Sequence, residues 1–232
     1  MTKVAAHVSS RMVWPWVLAC RELGLDLRLE FARLGLSEGQ LRDPEVRLSH
    51  ATLHELIQCL IDRSGREDLA LLAACEVDRG YFDLLDLAVR TSATLGDAME
   101  RMVSFFGLLD DGVELFMRRG AVQSEMGLTV NPGHALHPAY VEFIPAMLLL
   151  AARRETGVPE LRGDEIFFAH SARSDEAPYL ELFGGRVIFD AAETTALFAS
   201  RLLSLPMLRA NAPQQRAAEL ALVTAPARKV GS

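Results

Sequence analysis

Cysteine is scarce in this sequence, and its spacing argues against two kinds of site. Cys20, Cys59 and Cys75 are the only three cysteines among 232 residues, and no two of them form a C-x-x-C pair. An odd, widely spaced set indicates neither a disulfide framework nor a zinc or redox site, so we expect three buried, reduced thiols. The N-terminal residues also lack the apolar segment of a secretory signal. Both absences favour a cytoplasmic protein.

Catalytic sequence motifs are missing as well. The sequence has no G-x-S-x-G elbow, no phosphate-binding loop and no G-x-G-x-x-G fingerprint. His50 and His54 have the i, i+4 spacing of some zinc sites, but Ala51 stands where the H-E-x-x-H motif needs glutamate. We interpret this pair as part of a partly exposed helix face, and His170 as a structural, hydrogen-bonded histidine. The sequence therefore predicts no metal, no cofactor and no enzymatic activity.

An excess of basic residues is absent too. The chain has 24 Lys and Arg against 31 Asp and Glu, a net charge of −7, whereas nucleic-acid surfaces are usually basic. Residues 24–41 have the helix–glycine–helix spacing of a helix-turn-helix, but the second helix would be short and contains Gly39 and two acids. A plain helical hairpin is the better interpretation. The acidic balance indicates that this chain does not itself bind DNA.

The most prominent feature that is present is an apolar stretch, residues 137–154. It is hydrophobic on nearly every side of a helix, and such a helix must be buried by protein or by lipid. Glu142 and Pro145 interrupt it early, which argues against a membrane span. Pro138 suits a first helical turn, Pro145 predicts a kink, and Arg153 and Arg154 complement the C-terminal end of the helix dipole. We therefore predict a buried central helix.

Periodicity divides the rest of the chain into a helical half and a mixed half. Apolar residues recur at helical spacing before about residue 110, with helices predicted at 11–23, 27–34, 50–63, 68–77, 84–91 and 95–108. Alternation at 113–117 and 122–130 then predicts a β-hairpin, with further strands at 165–170 and 186–190. A last amphipathic helix is expected at 193–203. The predicted fold class is α+β, a helical N-terminal half plus a small, mainly antiparallel sheet packed on the central helix.

Glu142 has two interpretations. It lies within the apolar helix, and burying an unpaired carboxylate is costly. Either an arginine pairs with it, or it contacts a ligand; the ion pair is the more economical alternative.

Candidate ligand-binding side chains also have a simpler structural interpretation. Four aromatic residues lie near predicted helix ends, namely Tyr81, Phe82, Phe105 and Phe106. They are either core residues or the lining of an effector pocket. Arg173 and Arg162, near strand ends, would suit an anionic ligand through bidentate contacts, or they are solvated loop charges. The candidate ligand-binding set is therefore Tyr81, Phe82, Phe105, Phe106, Glu142 and Arg173.

Several segments of the chain resemble the motifs of one known protein family. Residues 78–98 resemble the family segment G-x-x-G/D-L-L-x-x-A-x-x-S-x-T-L-G-x-A. Residues 183–191, FGGRVIFDA, resemble F-G-x-P-V-x-F-D-A, and 202–207 resemble L-x-x-P-L. The strand ending at His170 and the stretches at 24–26, 35–36, 43–44 and 47–49 fit as well, whereas Gly185 departs from the residues that the family often has at that position. Together these segments resemble the N-terminal regulatory domain of AraC/XylS-type transcription regulators, in the arabinose-binding-domain subgroup.

The resemblance implies a ligand-sensing and dimerisation domain of a bacterial transcription regulator. Residues 1–206 would form the effector-binding domain, with 1–110 as a helical subdomain, and 207–232 would be a linker or tail. The expected partners are a small-molecule effector and a second copy of the chain, with no membrane. Family members bind DNA through two further helix-turn-helix units that this chain does not contain. Two alternatives remain: an interaction module without ligand, and a small enzyme that uses Glu142 or His170.

Overall fold

The computed structural model describes residues 6–132, 134–173 and 175–224, and it confirms the α+β fold class. The helices are α1 Trp14–Glu22, α2 Arg28–Arg33, α3 Glu38–Arg42, α4 His50–Ser64, α5 Leu69–Cys75, α6 Leu84–Arg90, α7 Leu95–Phe105, α8 Pro138–Thr156, α9 Ala177–Phe183 and α10 Ala212–Thr224. The strands are β1 His7–Ser9, β2 Arg47–Ser49, β3 Val113–Arg118, β4 Gln123–Val130, β5 Glu165–Phe167, β6 Arg186–Ile188 and β7 Thr194–Ala199. Within these ranges, no helix is both long and apolar enough to cross a bilayer.

The helical half contains a small sheet that its periodicity does not reveal. β1 pairs antiparallel with β2, with Val8 opposite Leu48. Each strand has only three residues, too few for a period-2 pattern to show, so these two strands are an addition to the predicted helical half. Of the three cysteines, only Cys20 is buried, whereas Cys59 is half-buried and Cys75 is exposed. Burial raises the pKa of the Cys20 thiol to about 11.

The second half forms a five-stranded sheet in the order β3-β4-β7-β5-β6. The predicted hairpin is confirmed, since β3 and β4 pair antiparallel from Val113 opposite Val130 to Arg118 opposite Glu125. β7 pairs antiparallel with both β4 and β5, and only β5 and β6 are parallel. The sheet is thus mainly antiparallel, as predicted.

The prediction of a helix at residues 193–203 is wrong. The segment forms β7 and then a 3₁₀ turn, Ser200–Ser204. Thr194 and Thr195 begin the strand, and their β-branched side chains favour extended backbone. β7 also fills the gap between β4 and β5, whose backbone groups would otherwise lack partners. Strand pairing therefore determines the secondary structure of this short segment, whose apolar residues fit both a helical and a strand pattern.

The central helix is present as α8, and the structure confirms its burial in part. His137 caps it by accepting a hydrogen bond from the backbone N–H of Ala139, and Gly157 ends it with a φ of 71°. Nearly all residues from Ala139 to Met147 are buried. Leu148, Leu149, Leu150, Ala151 and Ala152 are only half-buried, although all are apolar. The second half of α8 therefore carries apolar surface that its neighbours do not cover.

The segment after Pro206 is held against the domain as far as the structure describes it. The backbone N–H of Met207 donates to Ala93 O at 3.2 Å, that of Leu208 to Glu155 O at 2.8 Å, and that of Asn211 to Thr91 O at 2.9 Å. α10 then packs on α6. The stretch that was assigned to a linker or tail thus contains an ordered helix through Thr224, and residues 225–232 lie outside the described residues.

A buried carboxylate joins the two halves of the fold. Asp110 is fully buried, and its Oδ1 contacts His50 Nε2 and accepts from the Gly112 N–H, both at 2.8 Å. Its Oδ2 accepts from the Tyr140 hydroxyl at 2.8 Å. Burial, with the nearby Asp110 carboxylate, raises the pKa of Tyr140 well above its usual value, so the phenol remains a donor. His50 is therefore a buried structural residue and not part of an exposed helix face.

We expect Tyr140→Phe to lower the free energy of unfolding by about 1–3 kcal/mol, because the fully buried Asp110 loses the donor to its Oδ2. Tyr81→Phe, at a half-buried tyrosine outside this network, is the matched control and should cost less. Urea denaturation of both variants measures the difference. Equal, small effects would show that the buried network does not stabilise the fold.

Candidate functional site

A cavity of about 180 Å³ lies between α8 and the sheet. α6 and α7 contribute one side, the second half of α8 another, and β4, β5 and β7 the floor. Leu148, Leu149 and Ala151 of α8 face Met126 and Ala196 of the sheet across this space. Of the half-buried apolar residues at 148–152 of α8, all except Leu150 line the cavity. Its walls are almost entirely apolar, as in most small-molecule sites.

The cavity separates two groups of packed apolar residues. The larger group contains most of the core, and the smaller one consists of Leu95, Ala98, Leu161 and Met207. Leu149 and Ala152 of α8 pack against the smaller group, and they also line the cavity. Close-packed interiors rarely leave voids larger than a water molecule. A space of this size beside ordered helices therefore makes the region a candidate binding site.

Methionine is concentrated around this space. Of eight methionines in the sequence, five line the cavity, namely Met99, Met102, Met126, Met147 and Met207. The methionine side chain is unbranched and polarisable, so it adapts its shape to different apolar partners. Such a lining suits a site that closes around a bound molecule.

One part of the lining is charged. Asp86 and Arg90 of α6 and Arg154 and Glu155 of α8 line the cavity. Arg90 Nε lies 3.4 Å from Asp86 Oδ2, and Glu155 Oε1 accepts a hydrogen bond of 2.7 Å from the Nε of Arg79. Burial raises the pKa of Asp86, while its hydrogen bond from the Gly80 N–H and the nearby arginines act in the opposite direction. We call Asp86, Arg90, Arg154 and Glu155 the polar end of the cavity.

The structure brings only one of the candidate residues to the cavity. Phe82 lines it, whereas Tyr81, Phe105, Phe106, Glu142 and Arg173 lie elsewhere. Phe106 is buried in the main core, and Tyr81 and Phe105 pack against it. Arg162, weighed as an anion-binding residue, does line the cavity. A ligand-binding role for the set remains a prediction.

Glu142 forms the ion pair that was one of its two alternatives. Its carboxylate is fully buried, and Arg173 donates from Nε to Oε1 at 3.2 Å and from Nη2 to Oε2 at 3.3 Å. His170 Nε2 lies 3.6 Å from Oε1. Burial raises the pKa of Glu142, and Arg173, His170 and Tyr179 partly offset that rise. The two arginine contacts identify the pair as a structural connection between α8 and the loop after β5.

No metal centre emerges from the histidines. His54 packs edge-on against His137, with ring centroids 4.9 Å apart. Burial lowers the pKa of His137 to about 4, and the nearby His54 adds to this effect. In the described part of the chain, no three His, Cys, Asp or Glu side chains are grouped so that they could hold a metal ion.

The residues that sequence reasoning missed are the half-buried apolar ones of α7 and α8 and the charges of the polar end. Asp86 and Arg90 have the i, i+4 spacing of a helix pair, a visible but common signal. Their proximity to Glu155 depends on how α6 and α8 pack, which no local pattern encodes. A second signal was available in α8, whose apolar run exceeds what one face of a helix can bury.

One comparison with known proteins identifies a family. The sequence matches the family model described as the arabinose-binding domain of AraC transcription regulators, N-terminal, over residues 24–207. The comparison with curated proteins gives no match. Among solved structures, the crystal structure of transcriptional regulator CdpR from Pseudomonas aeruginosa is similar, with a TM-score of 0.61 and 16% identity over 89% of this chain. The match covers 61% of the CdpR chain, and at this identity it concerns the fold alone.

We expect Arg173→Met to destabilise the fold by about 3–5 kcal/mol at neutral pH, because it leaves the Glu142 carboxylate buried without its partner. Burial already raises the pKa of Glu142, so the folded variant binds a proton more tightly than the unfolded chain does. The loss should therefore shrink as the pH falls through the folded-state pKa.

Chemical denaturation of wild type and variant across the acid range measures this loss. Arg186→Met is the control, because Arg186 is three-quarters exposed and pairs with Glu165 at the surface, where an ion pair contributes about 0–1 kcal/mol. A loss for Arg173→Met that is small, or that does not change with pH, would contradict a structural role for the pair.

Proposed function

We propose that this chain, which belongs to the family of N-terminal arabinose-binding domains of AraC transcription regulators, senses a small, mainly apolar effector in the cavity beside α8. The cavity is the observation that carries the proposal, because a core that only dimerises has no need of one. An enzymatic role has less support, since Glu142, one of its two candidate residues, is fully buried and paired with Arg173.

The size and chemistry of the cavity support an apolar effector over a sugar. An engineered apolar cavity of about 150 Å³ binds benzene, so about 180 Å³ admits a molecule of that class. A sugar of similar size carries a hydroxyl on nearly every carbon. Each hydroxyl buried without a partner costs about 1–3 kcal/mol on the protein mutational scale, and most of the residues that line this space are apolar.

A signal route is available through the segment that follows the sheet. Met207 lines the cavity, and its neighbour Leu208 is tied to the carbonyl of Glu155. The same segment leads into α10, which packs on α6, the helix that contributes Asp86 and Arg90 to the lining. An effector that favours one arrangement of α6, α8 and this segment would shift α10 with it. It can shift that equilibrium only by its difference in affinity for the two arrangements.

In the proposed regulator, α10 would pass this change on to a separate DNA-binding domain. The net charge of −7 supports such a division, because the acidic chain itself offers little attraction to phosphate. Occupancy of the cavity would then alter how the DNA-binding part is presented to its operator.

Toluene tests the cavity directly. We expect saturating toluene to raise the melting temperature, because a ligand at one hundred times its dissociation constant stabilises the folded state by about 2.7 kcal/mol. Ala151→Phe should abolish this rise, since the added ring occupies the space beside α8. Differential scanning calorimetry with and without toluene measures both effects.

Ala51→Phe is the matched control. Ala51 is an exposed alanine on α4, so its replacement adds the same ring outside the cavity and should leave the toluene response unchanged. An absence of any toluene effect on the wild-type chain would contradict effector binding in this cavity.

Dimerisation is the second part of the proposal, and α10 supplies its support. Gln215 and Ala218 face the domain, whereas Leu220 and Val223 are 65% and 68% exposed on the same helix. They are three residues apart and so share a helix face. Contiguous exposed apolar surface marks sites of protein contact, and a second copy of this chain would cover this helix face symmetrically.

We expect Leu220→Glu to shift the chain from dimer to monomer, because the partner surface would have to bury a carboxylate. Val122→Glu, at an equally apolar and 83% exposed position between β3 and β4, should leave the dimer intact. Sedimentation velocity at several concentrations separates these outcomes. A wild-type chain that is monomeric at every concentration would refute this part of the proposal.

A further inference from the structure

We propose that the polar end of the cavity recognises a neutral head group that both donates and accepts a hydrogen bond, such as a hydroxyl or a primary carboxamide, on an apolar body. Arg90 and Glu155 are the residues that would contact it. This inference rests on the proposed function, because it specifies the chemistry of the effector in the same cavity.

Glu155 supplies an acceptor that lacks a donor. The residue is only 5% exposed, and it lines the cavity. Its Oε1 contacts Arg79 Nε at 2.7 Å and Arg154 Nε at 3.4 Å. Its Oε2 is buried and has no hydrogen-bond partner among the described residues. Buried carboxylate oxygens without partners are costly, so a donor on the bound molecule would stabilise this end of the site.

Arg90 supplies a donor that lacks an acceptor. It lies in the last turn of α6 and lines the cavity. Its Nε is buried, and no hydrogen bond from this atom forms within the described ranges. Asp86 Oδ2 is within ion-pair distance, at 3.4 Å, but not in hydrogen-bonding geometry. An acceptor on the bound molecule would therefore give the Arg90 Nε–H the hydrogen bond that it lacks.

Charged head groups fit this pair poorly. A carboxylate has acceptors only, so it would satisfy Arg90 while placing a second anion beside Glu155. An ammonium group has donors only, so it would satisfy Glu155 while adding a cation beside Arg90. The carboxylates of Asp86 and Glu155 already have arginine partners, so neither needs a cation on the bound molecule. A hydroxyl or a carboxamide meets both needs without adding charge to an apolar site.

A series of benzene derivatives of nearly equal size separates these possibilities. Dissociation constants are measured on the full chain for toluene, benzyl alcohol, benzamide, benzoate and benzylammonium. We expect benzyl alcohol and benzamide to bind at least as tightly as toluene, despite the water that their polar groups must lose. Benzoate and benzylammonium should bind at least tenfold more weakly than benzyl alcohol.

Arg90→Leu and Glu155→Gln test the contacts themselves. Arg90→Leu should weaken benzyl alcohol binding about tenfold, the factor that corresponds to about 1.4 kcal/mol, and leave toluene binding unchanged. Glu155→Gln, which keeps the shape of the side chain, should reduce the discrimination against benzoate. Arg63→Leu is the control, because Arg63 is likewise in the last turn of a helix and pairs with a carboxylate, Glu30, away from the cavity.

The outcomes distinguish this inference from the proposed function. If toluene does not bind, the cavity is not an apolar effector site, and both proposals fail, because the head-group inference rests on that site. If toluene binds and benzyl alcohol is weaker than toluene, or if benzoate or benzylammonium is preferred, the head-group inference is overturned and the apolar site stands. The comparison among ligands on the wild-type chain decides this even if a variant does not fold.

Discussion

The structure depends on one constraint, the burial of a helix that is apolar all round. The first half of α8 is buried, and the helix packs against α5 and α9. The second half is not, because the sheet lies across a cavity of about 180 Å³ from Leu148, Leu149 and Ala151. The apolar surface that remains provides a driving force for binding, since a ligand of matching chemistry removes it from water.

Glu155 connects the cavity to the segment that leads to α10. Glu155 lies near the C-terminal end of α8, one side of its carboxylate held by Arg79 and its backbone carbonyl held by Leu208. The residue that offers an unpaired oxygen to the cavity is thus also the attachment point of the segment leading to α10. In the proposed mechanism, effector binding and the route to the C-terminal helix would meet in this one residue. A conformational change at the polar end would therefore reach α10 directly through the segment that begins at Leu208.

The sequence was informative where local pattern and packing agree. The hairpin of β3 and β4 follows from strict alternation, and α8 follows from its apolar run and the proline in its first turn. The sequence was misleading where the secondary structure depends on partners distant in the chain. The apolar residues of β7 suit a helix equally well, but the segment pairs with β4 and β5 as a strand. The cavity could not be predicted at all, because a void is a property of how α6, α7, α8 and the sheet fail to meet. Phe82 alone among the proposed ligand-binding residues reaches it.

The methionines offer the most direct measurement of the central claim, that the space beside α8 is a binding site. Five methionines line it, whereas Met12 is buried in the main core and Met117 lies on β3. In a chain labelled with ¹³C at the methionine methyl groups, titration with toluene should shift the signals of Met99, Met102, Met126, Met147 and Met207 along one saturable curve. The signals of Met12 and Met117 should stay in place. Unchanged signals from the five, or shifts spread equally over all seven, would contradict the account.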